Sequence, residues 1–259
     1  MLATSSELPD LIALVEVEND SVLLHLTQRS LLRNAGYQYL MTNSNDVRGL
    51  DVALLYQPVR FRPICYETLA VNLPKGARPT RDILYVKGQC LSGDTLHVFV
   101  VHAPSRYGGE RNTRPYRKQV ALTLLNAINA IRHESSLDAA TDSTRHGSQI
   151  IGAGDFNDYD DSPALLLLGQ QLHNATAKAH GANGALATYR YQGDWHSLDH
   201  ILISPSLSEH VDTAYIADAP FLLEPDERYG GVKPRRSFIG PRQNGGVSDH
   251  LPLVVKFSF

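Results

Sequence analysis

Short apolar runs recur along the chain and predict β-strands at residues 11–17, 51–56, 82–86, 95–101, 149–154, 198–203 and 251–257. Several of these runs are apolar almost throughout, which is typical of strands that are covered on both faces. Because helical patterns lie between some of the strands, we predict a mixed α/β fold.

Helical spacing of apolar residues is clearest between residues 114 and 133, where it predicts an amphipathic helix. Ser162 and Pro163 are a typical start for a second helix at residues 164–172. Asn19 or Asp20 is predicted to cap a third helix that runs through Leu32. We expect a polar surface excursion at 134–148 and a long irregular loop at 217–246, all within a single domain of residues 1–259.

Composition narrows the class of protein only in part. The 259 residues carry a net charge of −3, and a broad nucleic-acid-binding face is usually more basic, so a phosphate-bearing partner would be met by local contacts. No apolar run reaches the roughly 18 residues of a membrane-spanning helix. No obligate protein partner is evident.

Cys65 and Cys90 lie in apolar runs, which favours buried free thiols over a single disulfide.

The N-terminus shows no basic segment followed by an apolar one, so we predict no signal peptide in this sequence. A segment further upstream could carry one. The compartment therefore stays open, with secretion or the periplasm as alternatives.

Polar side chains collect at or near the ends of the predicted strands. They are Glu16, Glu18, His102, Ser105, Arg106, Asp155, Asn157, Asp199, His200, Ser248, Asp249 and His250. If these strand ends converge, one site combines carboxylates, histidines, an amide and an arginine. Oxygen ligands suit Mg²⁺, and a metal beside histidine and arginine suits attack on a phosphate. Zinc is disfavoured because no close His/Cys ligand pattern occurs.

Each of these residues also has a purely structural interpretation. Asp155 and Asn157 could be turn residues, and His102 and His250 could be core histidines. Glu18 could be a carboxylate at a helix start, and Arg106 a surface arginine. Asp199 is harder to explain in this way, because a carboxylate inside an apolar strand needs a partner such as a histidine.

Six motifs in order carry a family resemblance: EVEN, RGLDVALLY, VHAPSRYGG, GDFND, TYRYQGDWHSLDHILIS and SDHLPL. Over nearly the whole chain, they resemble the endonuclease/exonuclease/phosphatase superfamily, which has the DNase I-like fold. The resemblance implies a four-layer α/β/β/α sandwich with two mixed sheets packed face to face between helices. It also implies Mg²⁺-dependent cleavage of phosphate esters, with Mn²⁺ or Ca²⁺ as substitutes.

The resemblance also assigns residues to the metal and the water. Glu16 corresponds to the metal-binding glutamate of the family, and Asp249 to the aspartate near the metal. Asp155 and Asn157 correspond to the pair that positions the attacking water and the scissile phosphate. Whether Asp155 or His250 is the general base stays open.

Further residues correspond to phosphate contacts. His250 is the expected phosphate-contacting histidine and acid–base partner, and Asp199 the residue that orients it. His102 corresponds to a histidine on the phosphate side. Arg106 is an expected additional phosphate clamp, and Arg48 a weaker candidate for the same role.

The sequence departs from the family at its start. Family members open with a strand that carries an asparagine, ahead of the glutamate strand. Residues 1–9 contain no asparagine and are too few for that strand and its connection. We therefore expect the opening strand to be missing from this sequence, because the chain is truncated, because its start is assigned too late, or because the fold has lost an edge or centre strand.

For the substrate, we expect a nuclease first. The loop at 217–246 interleaves arginines and a lysine with Tyr229 and Phe238, which favours a nucleic-acid strand but also fits an inositol phosphate or a lipid headgroup. Trp195 either stacks on a base or sugar or belongs to the core. A phosphatase or phospholipase-like esterase is the alternative enzyme, and a weakly active binding protein on the same fold is the third hypothesis.

Overall fold

The computed structural model describes residues 7–139 and 148–258. The first half of the chain forms β1 (Leu11–Val17), α1 (Asp20–Gln28), β2 (Gln38–Met41), β3 (Asp51–Tyr56), β4 (Phe61–Leu69), β5 (Ile83–Cys90), β6 (Thr95–His102) and α2 (Glu110–Ala139). The second half forms β7 (Gln149–Asp155), α3 (Pro163–Leu168), β8 (His173–Asn174), β9 (Tyr189–Tyr191), β10 (Asp194–His196), β11 (Asp199–Ile203), α4 (Pro205–Ser208), β12 (Val211–Ile216), β13 (Leu223–Pro225), β14 (Val232–Pro234), β15 (Phe238–Ile239), β16 (Arg242–Gln243) and β17 (Leu253–Phe257).

A six-stranded mixed sheet forms the centre of the molecule, with the strand order β4-β5-β6-β7-β11-β8. All neighbours run antiparallel except β6 and β7, which are parallel and are joined through α2. Alternation along β6 gives the sheet two apolar faces. Phe99 and Val101 pack towards α2 and α3, whereas Val98 and Val100 pack towards a second layer of strands.

The second layer consists of two separate sheets, β1-β3-β2 and β12-β17. Val52 and Leu54 of β3 lie in the core between this layer and the six-stranded sheet. On the outer side, Ala53 and Leu55 pack with Leu23 of α1. The order is therefore helix, sheet, sheet, helix, and the predicted four-layer α/β/β/α fold is confirmed.

The family's opening strand has no counterpart among residues 7–139 and 148–258. Within these residues β1 pairs with β3 alone and β17 with β12 alone, so the second layer is divided between β1 and β17. A side-chain contact links the two parts, because Lys256 Nζ lies 2.8 Å from Glu7 Oε2.

Several predicted boundaries were wrong. The helix that starts beside Asn19 ends at Gln28 instead of continuing through Leu32. Ser30 stops it, because its hydroxyl accepts a hydrogen bond from Leu32 N and caps a separate 3₁₀ turn at Leu31–Asn34. The helix α2 is longer than predicted at both ends, and α3 ends at Leu168, before the predicted limit of 172.

Other predictions fail in the polar regions. The strands β2, β4, β8 to β10 and β12 to β16 were not predicted, and four of them interrupt the loop at 217–246. Part of the predicted excursion at 134–148 is the end of α2, and residues 140–147 lie outside the described residues. Both cysteines are free, but Cys65 is exposed and Cys90 half-buried, because the β4 edge strand is open to solvent. Within the described residues no helix has the length and apolarity to cross a membrane.

Candidate active site

Three neighbouring strands bring His102, Asp155 and Asp199 side by side. His102 is in register with Asp155 across the parallel pair β6–β7, and Asp155 with Asp199 across the antiparallel pair β7–β11. Residues in direct register project from the same face of a sheet. The apolar strands therefore end in one row of polar side chains at one edge of the sheet.

The turn after β7 is shaped around the Asp155 carboxylate. Asn157 donates to it twice, from its backbone N–H to Oδ1 at 2.7 Å and from Nδ2 to Oδ2 at 2.8 Å. The backbone of Asn157 is left-handed, with φ 51°, a conformation that asparagine tolerates better than most residues. Gly154 is required just before, because a Cβ there would lie 1.9 Å from the Val101 carbonyl oxygen. The GDFN motif therefore fixes Asp155 by local geometry.

His250 lies opposite this turn and forms an ion pair with Asp199. Its Nδ1 donates to Asp199 Oδ2 at 2.7 Å, and its ring contacts the Tyr189 ring at a centroid distance of 4.9 Å. Burial disfavours the charged imidazolium, but Asp199 and Asp155 outweigh burial and raise the pKa of His250 to about 9. The predicted pairing of Asp199 with a histidine is present in the structure.

The Asp155 carboxylate is destabilised in its charged form. Burial, followed by the repulsion from Asp199, raises the pKa of Asp155 against the opposing effects of His250, Asn157 and Arg81. A carboxyl group with a raised pKa accepts a proton more readily near neutral pH than an ordinary aspartate.

The pKa of His102 is shifted in the opposite direction from that of His250. Its Nε2 lies 3.7 Å from Asp155 Oδ2, but burial, followed by the positive charges of Arg81 and Arg48, lowers the pKa of His102 to about 2. Its buried Nδ1 has no hydrogen-bond partner among the described residues. His102 is therefore a neutral imidazole at neutral pH.

Sequence reasoning missed the buried arginine beneath this site. Arg81 donates to Asp46 Oδ2 at 3.2 Å and to the Ala103 carbonyl at 2.8 Å. The same carbonyl accepts from Asn157 Nδ2 at 3.0 Å, so Arg81 and the Asp155 turn share one acceptor. The only signal in the sequence is that Arg81 and Asp82 directly precede the apolar start of β5.

A second buried ion pair supports the site from the side of α2. Arg117 Nε lies 2.9 Å from Asp158 Oδ2, and both side chains are almost fully buried. Arg106 Nη1 is 3.9 Å from the same carboxylate, and its guanidinium lies 4.1 Å above the Tyr159 ring. The Tyr159 ring stacks in turn on His196 at 5.3 Å. Arg106, expected as a phosphate clamp, thus begins a row of planar groups beside the Asp155 turn.

Asp155, Asp199 and His250 form a group that could hold a metal ion, because one ligand atom of each lies within 4.8 Å of the others. The two residues expected to bind metal lie outside this group. Glu16 occupies a bulge of β1 with a left-handed backbone, and its side chain is 58% exposed with Arg48 at 4.0 Å. Asp249 is 44% exposed and lies 3.7 Å from Arg236. All five offer carboxylate oxygens or imidazole nitrogens, which fits a divalent cation.

Trp195 lies on β10, next to His196. It packs against the apolar cluster of Ala185, Ile216 and Leu251, under the guanidinium of Arg190 at 5.4 Å. Arg190 also donates to the carbonyls of Gly230 and Val232, so it holds the loop at 217–246 against β9 and β10. These contacts favour the core interpretation of Trp195.

The model of the Endonuclease/Exonuclease/phosphatase family matches residues 2–258. No curated protein matches the chain in sequence. Among solved structures, the mannosyl-6-phosphatase of Bacteroides thetaiotaomicron VPI-5482 superposes with a TM-score of 0.62 at 17% identity, covering 96% of this chain and 85% of that one.

Two eukaryotic structures are similar to a comparable degree. The human Nocturnin catalytic domain with bound sulfate anion has a TM-score of 0.58 at 20% identity, covering 97% of this chain and 81% of that one. TDP2 of D. rerio, complexed with single strand DNA product, has a TM-score of 0.57 at 15% identity, covering 97% and 86%. At these identities the likeness establishes the fold.

Proposed function

Because the chain belongs to the Endonuclease/Exonuclease/phosphatase family, we propose that it hydrolyses phosphate diesters with a divalent cation, Mg²⁺ first and Mn²⁺ or Ca²⁺ as substitutes. The observation that carries the proposal is the row of His102, Asp155 and Asp199 in register, with His250 bonded to Asp199. Such a row combines a proton acceptor, a neutral imidazole and a cation within reach of one phosphate.

The charge states favour a division of roles. Asp155 in its ionised form accepts the proton of a water whose oxygen attacks phosphorus. A bound cation would favour this ionised form, and the raised pKa makes the carboxylate a stronger base than an ordinary aspartate. His250 carries a proton below about pH 9 and therefore has no free lone pair for this task. It stabilises the negative phosphate oxygens and donates a proton to the leaving oxygen as the P–O ester bond breaks.

Asn157, His102 and Arg106 hold the phosphate in this proposal. The residues that would hold the cation are Glu16 and Asp249. A cation bound there would supply positive charge to the phosphate oxygens and lower the pKa of a bound water. Their carboxylate oxygens favour Mg²⁺ in this proposal.

A nucleic-acid strand is the first candidate substrate. The row of Arg106, Tyr159 and His196 offers one guanidinium and two stacked rings beside the Asp155 turn, a combination that contacts phosphates and bases in single strands. Arg48 is a further phosphate contact in this proposal. A fold relative, TDP2 of D. rerio, was solved with a single strand DNA product.

A phosphodiester of a lipid headgroup is the second candidate. It is favoured by one observation: Phe238 and Ile239 of the β15–β16 hairpin are more than half exposed. They follow Arg236, which donates to the Tyr189 hydroxyl, and the Tyr189 ring contacts His250. A sugar phosphate is a further possibility for the same chemistry, since one fold relative is a mannosyl-6-phosphatase.

The test is turnover of single-stranded DNA, RNA, phospholipid vesicles, an inositol phosphate and a generic diester, with Mg²⁺ against EDTA. Asp155→Ala should abolish turnover, and Asp161→Ala, an exposed aspartate of the same segment, should leave it unchanged. Turnover that persists in EDTA, or survives in Asp155→Ala, would contradict the proposal. The substrate that is consumed selects between the candidates.

A further inference from the structure

A short arm projects from the loop before His250. We define the arm as residues 235–247, built on the two-residue strands β15 and β16. Its base is closed by backbone hydrogen bonds from Gly246 N to the Arg236 carbonyl at 3.2 Å and from Val247 N to the Arg235 carbonyl at 3.0 Å. Gly246 permits this closure, since a Cβ there would lie 2.0 Å from the Arg235 carbonyl oxygen. The arm therefore has a defined structure.

Apolar side chains are concentrated on this arm. Phe238 is 59% exposed, Ile239 52% and Val247 59%. Neighbouring residues of a strand point to opposite faces, so Phe238 and Ile239 place apolar surface on both sides of the hairpin. Single exposed apolar residues are common on proteins, but an adjacent pair on a projecting hairpin indicates a contact surface.

The arm also lies in a basic segment of the chain. Between residues 228 and 248 there is no aspartate or glutamate, while the segment contains Arg228, Lys233, Arg235, Arg236 and Arg242. The whole chain has a net charge of −3, so the rest of the molecule is acidic. Lys233 pairs with Glu224 at 3.6 Å and Arg236 with Asp249 at 3.7 Å, so Arg228, Arg235 and Arg242 are the cations that remain to face an anionic partner.

We infer that the arm docks the protein onto an anionic lipid surface. A membrane interface surrounds an inserted hairpin and covers both of its faces, whereas a folded protein or a nucleic-acid strand would cover one. Two of the three exposed apolar side chains are aliphatic, and aliphatic side chains do not stack on bases as aromatic rings do. Arginines around an apolar tip meet lipid phosphates at headgroup depth.

Docking in this way would present the candidate active site to the membrane. Arg236, at the base of the arm, lies 3.7 Å from Asp249 and donates to the Tyr189 hydroxyl at 3.4 Å. The Tyr189 ring contacts His250. The arm and the catalytic row are thus neighbours, although docking itself does not depend on hydrolysis.

The experiment is co-sedimentation of the full chain with vesicles of phosphatidylcholine, with and without phosphatidylglycerol, over a salt series. The wild type should bind the anionic vesicles and release them as salt rises. The double variant Phe238→Ser/Ile239→Ser should bind at least about tenfold more weakly, from the apolar area lost. Arg242→Gln should weaken binding about fivefold, as expected for one cation at an anionic surface.

The matched control is Leu31→Ser/Val59→Ser, which removes two exposed apolar side chains far along the chain from the arm. It should bind like the wild type. In Phe238→Trp, tryptophan emission should shift to shorter wavelength on addition of anionic vesicles. Circular dichroism checks that each variant is folded.

Three results would overturn the inference. The wild type could fail to bind anionic vesicles at low salt, or the arm variant and the control could bind equally. Alternatively, single-stranded oligonucleotide binding could depend on Phe238 and Ile239 while vesicle binding does not, which would assign the arm to nucleic acid.

Discussion

Asp155 lies between two histidines whose surroundings give them different charge states, one neutral and one positive. On one side His102 belongs to a regular strand and faces Arg81 and Arg48, which together with burial hold it neutral. On the other side His250 belongs to the irregular segment before β17 and faces Asp199 and Asp155, which hold it positive. Burial lowers the pKa of both imidazoles, so the difference between them comes from their charged neighbours, which are cationic around His102 and anionic around His250.

The comparison has a chemical meaning for the proposed reaction. A neutral imidazole can hold a phosphate without adding charge, whereas an imidazolium can stabilise negative charge and release a proton. The Asp155 carboxylate lies between the neutral and the charged imidazole, where it can accept a proton from a water molecule next to either of them. Each of the following experiments changes one member of this arrangement.

Asp155→Asn should have the largest effect on activity, because it removes the carboxylate that both histidines share. We expect turnover of the phosphate ester to fall about 10²- to 10⁴-fold, the range for loss of a general base. The free energy of unfolding should change less, because two effects oppose each other: the buried charge is removed, but one of the two oxygens that accept hydrogen bonds from Asn157 is lost. Steady-state kinetics and urea denaturation measure the two effects, with Asp161→Asn as control.

Arg81→Met tests the part of the site that contains His102. It should act mainly on the free energy of unfolding. It leaves the buried Asp46 carboxylate without its closest cation, and the loss of one partner of a buried ion pair costs about 3–5 kcal/mol of unfolding free energy. Urea denaturation measures the cost. Arg62→Met, on the exposed edge strand β4, is the control and should be close to neutral; equal effects of the two variants would contradict a structural role for Arg81.

Asp199→Asn tests the side of His250. The imidazole loses its anionic partner, so the pKa of His250 should fall towards the ordinary value, and turnover should decrease about 10- to 100-fold. NMR titration of the histidine signals measures the pKa directly. If His250 still titrates near pH 9 in this variant, Asp199 is not the group that holds its proton.

The pH dependence of the free energy of unfolding, measured without metal, should distinguish the contributions of the two histidines. We expect this effect to be the smallest of those predicted here. His250 has a folded-state pKa above that of the unfolded chain, so its stabilising contribution is complete below about pH 6.5 and is lost as pH rises through about 9. His102 has a lowered folded-state pKa, so it reduces stability as pH falls below about 6.5. His102→Gln should remove part of the acid-side loss and leave the alkaline side unchanged in urea denaturation at each pH.

The parts of the site that the sequence predicts lie at the ends of strongly apolar runs. Asp155 and Asp199 were identifiable because a carboxylate next to a buried strand is unfavourable unless a partner compensates its charge. The partner of Asp199 is His250. Arg81 and Arg117 were missed because a buried arginine looks like a surface arginine until its partner is known. Those partners, Asp46 and Asp158, are 35 and 41 positions away along the chain.

The elements of the fold were likewise predictable where their signal is local in the sequence. Long apolar strands such as β3 and β6 were predicted, since their pattern is visible within a few residues. Strands of two or three residues such as β15 and β16 have no period to detect, and hydrogen bonds from distant residues define them. The bulge that turns Glu16 out of β1 depends on pairing with β3 and has no signal in the local sequence.

The row of in-register residues has a consequence for refolding. His102, Asp155 and Asp199 are adjacent in space but come from three well-separated segments, and His250 lies close to the end of the chain. Contacts between distant segments form late because each closes a large loop. Helical circular dichroism should therefore return before enzymatic activity when denaturant is diluted, which makes recovered turnover a marker of the last step of folding.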